Sequence, residues 1–245
     1  MNKYYYDLHV HSCLSPCADD DMTPNNIAGM AALKGLQIVA LTDHNTCKNC
    51  PAFFEACKRN GIIPIAGMEL STAEDIHLVC LFESLEDAMR FDAEVYGRLM
   101  DIKNRPEIFG NQMILDAQDE LVATEEKLLI SATNLLISDA VELARKFGAH
   151  VHPAHIDRES NGIISILGDI PDEYGFDCLE FNNLGNVEVI KQKCCVADRA
   201  KHIVSSDAHH LWDINEADNY ILIDDEPYSS SLVRKRLLEY LNGRA

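Results

Sequence analysis

The sequence predicts an α/β fold whose parallel sheet curls into a closed or distorted barrel. Two observations carry that expectation. Apolar runs of strand length alternate with helical patterns along most of the chain, and polar, chemistry-bearing residues collect just after those runs. Strands sharing one direction end on one side, so residues that follow them meet at a common carboxyl-terminal face. A doubly wound open sheet is the second choice, but no glycine-rich dinucleotide fingerprint supports it.

Residues 4–10 read as the first strand. Thr23 offers an N-cap and Pro24 a first helical position for a helix over 24–34 that closes near Gly35. In "LQIVALTDHN" the run from Ile38 to Leu41 is a buried strand with polar residues at its end. A helix through "PAFFEACKRNG" leads to "IIPIAGMELS", a strand that stops at Glu69, and "DIHLVCLF" repeats the pattern with His77 near its start. The stretch 84–147 departs from the rhythm. It holds a helical segment at about 85–103, a hairpin "QMILDAQDELVA" turning near Ala117–Asp119, and a helix at about 138–147 closing at Gly148. Residues 84–135 are read as an insertion, part of which is expected to cover the barrel mouth. Strands resume in "AHVHPAH", "CLEFNN" and "HIVSSDAHH", and the helix 229–242 finishes the chain. With no low-complexity linker, 1–245 is expected to be a single domain.

Forty acidic against 21 basic residues give a net charge of −19, which repels polyanions and argues against extended nucleic acid as a partner. A small phosphorylated substrate stays compatible, because bound cations reverse the sign locally. No signal-peptide pattern or membrane-length apolar run is found, so the expected protein is soluble and cytoplasmic, with no membrane partner. Nine cysteines in that setting point to reduced thiols. Cys47-x-x-Cys50 followed by Cys57 resembles part of a zinc or iron–sulfur site, yet a second such pair is missing and Cys194-Cys195 does not supply it; buried thiols are the better reading. Oligomeric state is not legible.

His9 and His11 are one residue apart on a strand, so both imidazoles point the same way and can pinch one ion. Asp43-His44, Glu69, His77, His155, Asp207 and His209 also sit at or just beyond predicted strands. A catalytic zinc takes about three protein ligands, and these donors exceed that number. Two or three divalent transition-metal ions are therefore implied, and the imidazole-rich donor set suits zinc, iron or manganese better than calcium or magnesium.

Taken in order, "HVH", "LTDHN", "GMEL", His77, "PAHIDR" and "SDAHH" resemble the PHP (polymerase and histidinol phosphatase) family of metal-dependent phosphoesterases. The resemblance implies a distorted (β/α)7 TIM-like barrel with up to three metals at the carboxyl ends of the strands. By it, His9, His11, Glu69 and Asp207 would hold one ion, and Glu69 would bridge to a second held by His77 and His155. His44 and His209 would hold a third with a ligand from the loop after His11. Counting forward from His11 favours Cys17 for that ligand; counting back from Thr23-Pro24 favours Asp19. Asp207 and His209 are also the expected catalytic pair. Asp43 is expected to accept a proton from a ligand imidazole, and Arg158 to contact a substrate phosphate. His150 and His152 share a strand face and either line the barrel or contact ligands; Glu180 is left unassigned, His210 is read as a neighbour, and His202 as a bland residue preceding its strand. The expected reaction is hydrolysis of a small phosphomonoester or nucleotide-type phosphate by metal-activated water. Two other classes stay open: a metal-dependent amidohydrolase, whose metal-bridging lysine no polar strand end supplies, and a non-catalytic metal-holding interaction module.

Overall fold

Alternating apolar runs and capped helices fold into ten strands and nine helices over the described residues, 1–244, of the computed structural model. In chain order these are β1 (Asn2–Val10), α1 (Pro24–Leu33), β2 (Ile38–Leu41), α2 (Cys50–Asn60), β3 (Ile63–Ser71), β4 (His77–Phe82), α3 (Leu85–Tyr96), α4 (Pro106–Phe109), β5 (Met113–Leu115) and β6 (Leu121–Thr124). They continue with α5 (Ile137–Lys146), β7 (His150–Pro153), α6 (Ile163–Leu167), β8 (Cys178–Phe181), α7 (Val187–Lys191), α8 (Cys195–Arg199), β9 (Lys201–Val204), β10 (Tyr220–Ile223) and α9 (Ser230–Leu241). Local signals account for the ends. The Thr23 hydroxyl accepts the Asn26 N–H at 3.3 Å and Pro24 opens α1, while Gly35, at φ +78°, lets the chain leave it.

The principal sheet has the order β10-β1-β2-β3-β4-β7. β1, β2 and β3 are parallel, whereas β4 is antiparallel to both β3 and β7. β8 and β9 form a parallel pair across the remaining gap. On one side Ile156 N–H donates to the Glu180 carbonyl at 2.9 Å; on the other, His11 N–H donates to the Ala208 carbonyl at 3.0 Å, beside a parallel bridge between Val10 and Ala208. Seven strands thus make the distorted barrel, with β10 as an antiparallel flap on the first half of β1.

The all-parallel expectation needs one correction. β4 runs backwards, and so it is its first residue, His77, that reaches the mouth where the parallel strands finish. The expected helix at about 85–103 is also shorter. It stops at Tyr96, because the chain beyond Gly97 turns to bridge Leu99 to Thr133 and Lys103 to Lys127. β10 was not foreseen. The hairpin β5–β6 and the helix closing at Gly148 form where their turn residues place them.

Alternation along the strands divides the core into two layers. Tyr6, Leu8, Ile38 and Ile65 face the barrel interior, whose floor is closed by Val233, Leu237 and Leu241 of α9. Val39, Leu41, Met68 and Leu78 face outward against Phe53 of α2 and Phe91 of α3. Burying a side chain such as Leu237 stabilises the fold by roughly 1.5–3 kcal/mol. Cys47, Cys50 and Cys57 lie in this outer layer as free thiols, Cys47 Sγ donating to the Gly67 carbonyl at 3.1 Å. Among the described residues no helix is long and apolar enough to cross a membrane.

The 84–135 segment packs beside the mouth, on the loops after β1 and β2. Met113 N–H donates to the Cys13 carbonyl at 3.0 Å, and Asn45 Nδ2 donates to the Leu129 and Ser131 carbonyls at 2.8 and 3.0 Å. Asn49 both donates to Met113 and accepts from Leu115.

Candidate metal centre

Strand ends bring the polar residues together. Glu69, near the end of β3 and 1% exposed, stands among five imidazoles. Its Oε1 lies 2.8 Å from His77 Nδ1, 3.1 Å from His155 Nε2 and 3.3 Å from His9 Nε2. Its Oε2 lies 2.9 Å from His44 Nδ1 and 3.3 Å from His11 Nε2. Asp207 Oδ1 approaches His9 Nε2 at 3.3 Å and His11 Nε2 at 3.1 Å, and the His209 ring stacks on His11 with centroids 4.3 Å apart. His155 and Asp207 take positive φ, 29° and 52°, a region that non-glycine residues enter at a cost and that clusters at functional sites.

The far nitrogens of the two β1 histidines are held from behind. His9 Nδ1–H donates to Glu180 Oε1 at 2.9 Å, which leaves Nε2 to face Glu69 and Asp207. His11 reaches its carboxylate indirectly. Ser15 Oγ donates to Asp43 Oδ1 at 2.7 Å, so it must accept from His11 Nδ1–H at 2.9 Å and from His44 N–H at 3.1 Å. Asp43 also accepts Ser12 N–H and Ser12 Oγ–H, each at 2.7 Å. The expected direct contact between Asp43 and a ligand imidazole is thus a relay through Ser15. Asp7, fully buried, accepts Ser206 N–H and Asn215 N–H at 3.0 Å each and so anchors the loop that carries Asp207 and His209.

Charge in this pocket is strongly coupled. Burial alone would lower the His9 pKa, but Glu180, Glu69 and Asp207 outweigh it and carry it well above 6.5. Burial likewise opposes His11, yet the adjacent Asp207 and Glu69 carboxylates raise it to about 9. Glu69 is held well below the carboxylate range, against its own desolvation, by His77, His9 and His44. His44 and His209 go the other way: burial pushes them down to about 4 and about 3, with the His11 charge lowering both further.

Four buried atoms here lack any hydrogen-bond partner: His44 Nδ1, Glu69 Oε2, His155 Nδ1 and Asp207 Oδ1. Close approach without hydrogen-bond geometry is what donors aimed at shared cations show. Three overlapping sets, His9/His11/Glu69/Asp207, His44/Glu69/His77 and His11/His44/His209, each hold their ligand atoms within 4.8 Å of one another. These buried clusters fit a multinuclear metal site.

Other expected residues fall around it. Cys17 lies exposed on the loop after β1 and belongs to none of the three sets; Asp19 turns instead to His210 Nδ1 at 3.3 Å. Arg158 pairs with Asp207 Oδ2 at the rim of a cleft of about 240 Å³, lined also by His44, His77, Ser160, Asn161 and His209. The 84–135 segment supplies none of the lining residues. Ser15 and Glu180 are the supports that sequence reasoning left unassigned; Ser15, 28 residues from Asp43, carries no local signal at all.

The PHP-domain profile matches residues 7–134, just over half of the chain. The chain belongs to the PHP-domain family. The matched span includes His9, His11, His44, Glu69 and His77, and takes in nearly all of the 84–135 segment; His155, Asp207 and His209 lie beyond it. Over 79 residues, 31% of this chain and 28% of the relative, the sequence is 37% identical to a 5'-3' exoribonuclease of Haemophilus influenzae. The fold superposes on the lesion-specific endonuclease Q of Pyrococcus furiosus with a TM-score of 0.72 at 19% identity, covering 100% of this chain and 57% of that one. A presumed metal-dependent phosphoesterase of Bifidobacterium adolescentis matches with a TM-score of 0.59 at 18% identity, covering 95% of each chain. The PHP chain therefore spans well under two thirds of both nucleic-acid-processing relatives and nearly all of the third. It carries the fold of metal-dependent phosphoesterases and nucleases.

Proposed function

We propose that this PHP protein hydrolyses a small phosphomonoester or a nucleotide-type phosphate, using two or three divalent transition-metal ions (zinc, manganese or iron). One observation carries the reading: a single buried carboxylate, Glu69, lies within 3.3 Å of five imidazole nitrogens. A carboxylate among so many imidazoles would be placed to share cations and offset their repulsion. His9, His11, Glu69 and Asp207 would hold one ion. Glu69, His77 and His155 would hold a second, and His44 and His209, with Cys17 or Asp19, a third. Bound there, the cations supply a water acidic enough to ionise near neutral pH and neutralise phosphate charge.

The chain's own groups do the rest. Arg158, whose side chain is 43% exposed at the rim, offers a planar fork to the non-bridging phosphate oxygens once it leaves Asp207. His209 Nδ1–H donates to the Asp207 carbonyl at 2.8 Å, so Nε2 faces the cleft as a neutral lone pair that can ligate or take up a proton. Asp207, held as a carboxylate by its two histidine neighbours, offers Oδ1 to the same space. As water adds to phosphorus, the P–O ester bond breaks and the leaving oxygen takes the proton. The net charge of −19 favours a small phosphate over a long polyanion.

Assaying the purified protein against a generic phosphomonoester and a nucleotide panel, with manganese, zinc or chelator, tests this. The expected result is turnover that needs metal and disappears in Glu69→Gln. Metal-independent turnover, or none with any phosphoester, contradicts it.

A further inference from the structure

Beneath the metal centre, the barrel interior holds a row of polar side chains that hydrolysis does not use. β7 points His150 and His152 inward, 1% and 0% exposed, and Ala154, just past its end, belongs to the interior apolar layer. Glu180 on β8 is 1% exposed. Three buried polar groups in an apolar interior are costly unless each is paired, so their bonding has to be accounted for atom by atom.

The polarity can be read upward from the floor. Asn242, just past α9, donates Nδ2–H to the Leu238 carbonyl at 2.8 Å, so its Oδ1 accepts His150 Nδ1–H at 2.9 Å. Burial, then the neighbouring His152, pushes His150 down to about 3, and the ring is neutral with a lone pair on Nε2. His152 Nδ1 stands 3.0 Å from that lone pair and must bring the hydrogen. The other His152 nitrogen, Nε2, faces Glu180 Oε2 at 3.8 Å, beyond hydrogen-bond reach but an ion pair when Nε2 also carries a hydrogen, and neither atom has a hydrogen-bond partner among the described residues. Glu180 Oε1 accepts twice, from His9 Nδ1–H at 2.9 Å and from His155 N–H at 3.1 Å. One carboxylate thus grips elements that carry two different members of the metal cluster, and its free oxygen is met only by His152.

We propose that His152 is a positioning residue of the metal centre: held by His150 and Asn242 and carrying a hydrogen on each ring nitrogen, it pairs with the Glu180 carboxylate that orients His9 and the His155 backbone. The inference rests on the metal-centre reading above. With an apolar side chain at 152, Glu180 Oε2 would face hydrocarbon, and the carboxylate would gain by turning away from His9.

Two measurements test it. In ¹⁵N-imidazole NMR of the metal-free protein, His150 should be the Nδ1–H tautomer and His152 should carry a hydrogen on both Nδ1 and Nε2; a His152 without the Nε2 hydrogen overturns the proposal. In competition titrations against a chelator, with manganese and zinc as probes, His152→Leu should bind at least one ion about 10–100-fold more weakly, as loss of an outer hydrogen-bond partner does. His152→Gln, which still offers Glu180 an N–H, should recover most of that loss. An Nε2–H tautomer at His150, or folded His152→Leu that binds both metals as tightly as the unsubstituted protein, overturns the proposal while leaving the metal centre intact. Unsubstituted protein that binds no metal overturns the metal-centre reading and the proposal with it. Cys178 lies within 4.8 Å of both rings. A metal equivalent lost alike in Cys178→Ser and His152→Leu but kept in Glu69→Gln would overturn the proposal too, because the two rings would then share a cation rather than a hydrogen.

Discussion

Stripped of metal by a chelator, the protein should be most stable near pH 6.5 and should lose stability toward alkaline pH; restoring zinc or manganese should remove that loss. His11 titrates at about 9 in the metal-free fold against 6.5 when unfolded. A raised folded-state pKa contributes stability that is fully present below 6.5 and is lost as pH rises through about 9. At ~1.4 kcal/mol per pKa unit, this single fully buried group contributes about 3 kcal/mol, and His9 adds in the same direction. On the acid side the sign reverses. His44 and His209, pushed down to about 4 and about 3, contribute stability that is present above 6.5 and lost as pH falls through those values. When cations occupy the pocket, the imidazoles have already given up their protons, so nothing remains to be lost between pH 6.5 and 9.5. Urea unfolding followed by circular dichroism at pH 5, 6.5, 8 and 9.5, with chelator and then with metal, reads both limbs. Equal stability at pH 6.5 and 9.5 without metal, or an alkaline loss that metal does not change, would refute the reasoning.

Three more outcomes follow from individual contacts. Ser15→Ala removes the acceptor for His11 Nδ1–H and should weaken metal binding about 10–100-fold in a chelator competition, with the fold retained. Arg158→Ala should raise KM for a phosphorylated substrate about tenfold or more without changing metal content, and Arg158→Lys should recover it only in part, because an ammonium cannot present a planar fork. Cys17→Ser and Asp19→Asn, compared by elemental analysis, separate the two candidates for the third ion's loop ligand: one of them should lower metal content, and the other should leave it unchanged.

The fold was legible wherever burial on both faces leaves a continuous apolar run, as in Ile38–Leu41 and Ile63–Leu70, and wherever a turn residue closes a helix, as Gly148 does. Alternation says which face a residue takes but nothing of which way a strand runs, so β4 was read as one more parallel strand. The reversal still put His77 at the mouth. β10 escaped notice because four residues pairing with the first half of β1 carry too short a pattern. In the site, the clustered residues announced themselves as polar side chains at strand ends. Their supports did not. Ser15 acts through Asp43 28 positions away, and Glu180 through His9 171 positions away, contacts that only the closed barrel creates. Asp43 was expected to meet a histidine directly, and an intervening hydroxyl cannot be read from adjacency in the chain. Cys17, favoured by counting forward from His11, lies exposed on the loop after β1 and belongs to none of the three gathered sets.

Metal content measured by inductively coupled plasma mass spectrometry on the purified protein and on Glu69→Gln, both loaded with excess zinc or manganese and desalted, tests the central claim most directly. Two or three equivalents per chain in the unsubstituted protein, falling by at least one when the Glu69 carboxylate becomes an amide, is the predicted result. Identical content in both proteins, or no retained metal in either, would contradict it.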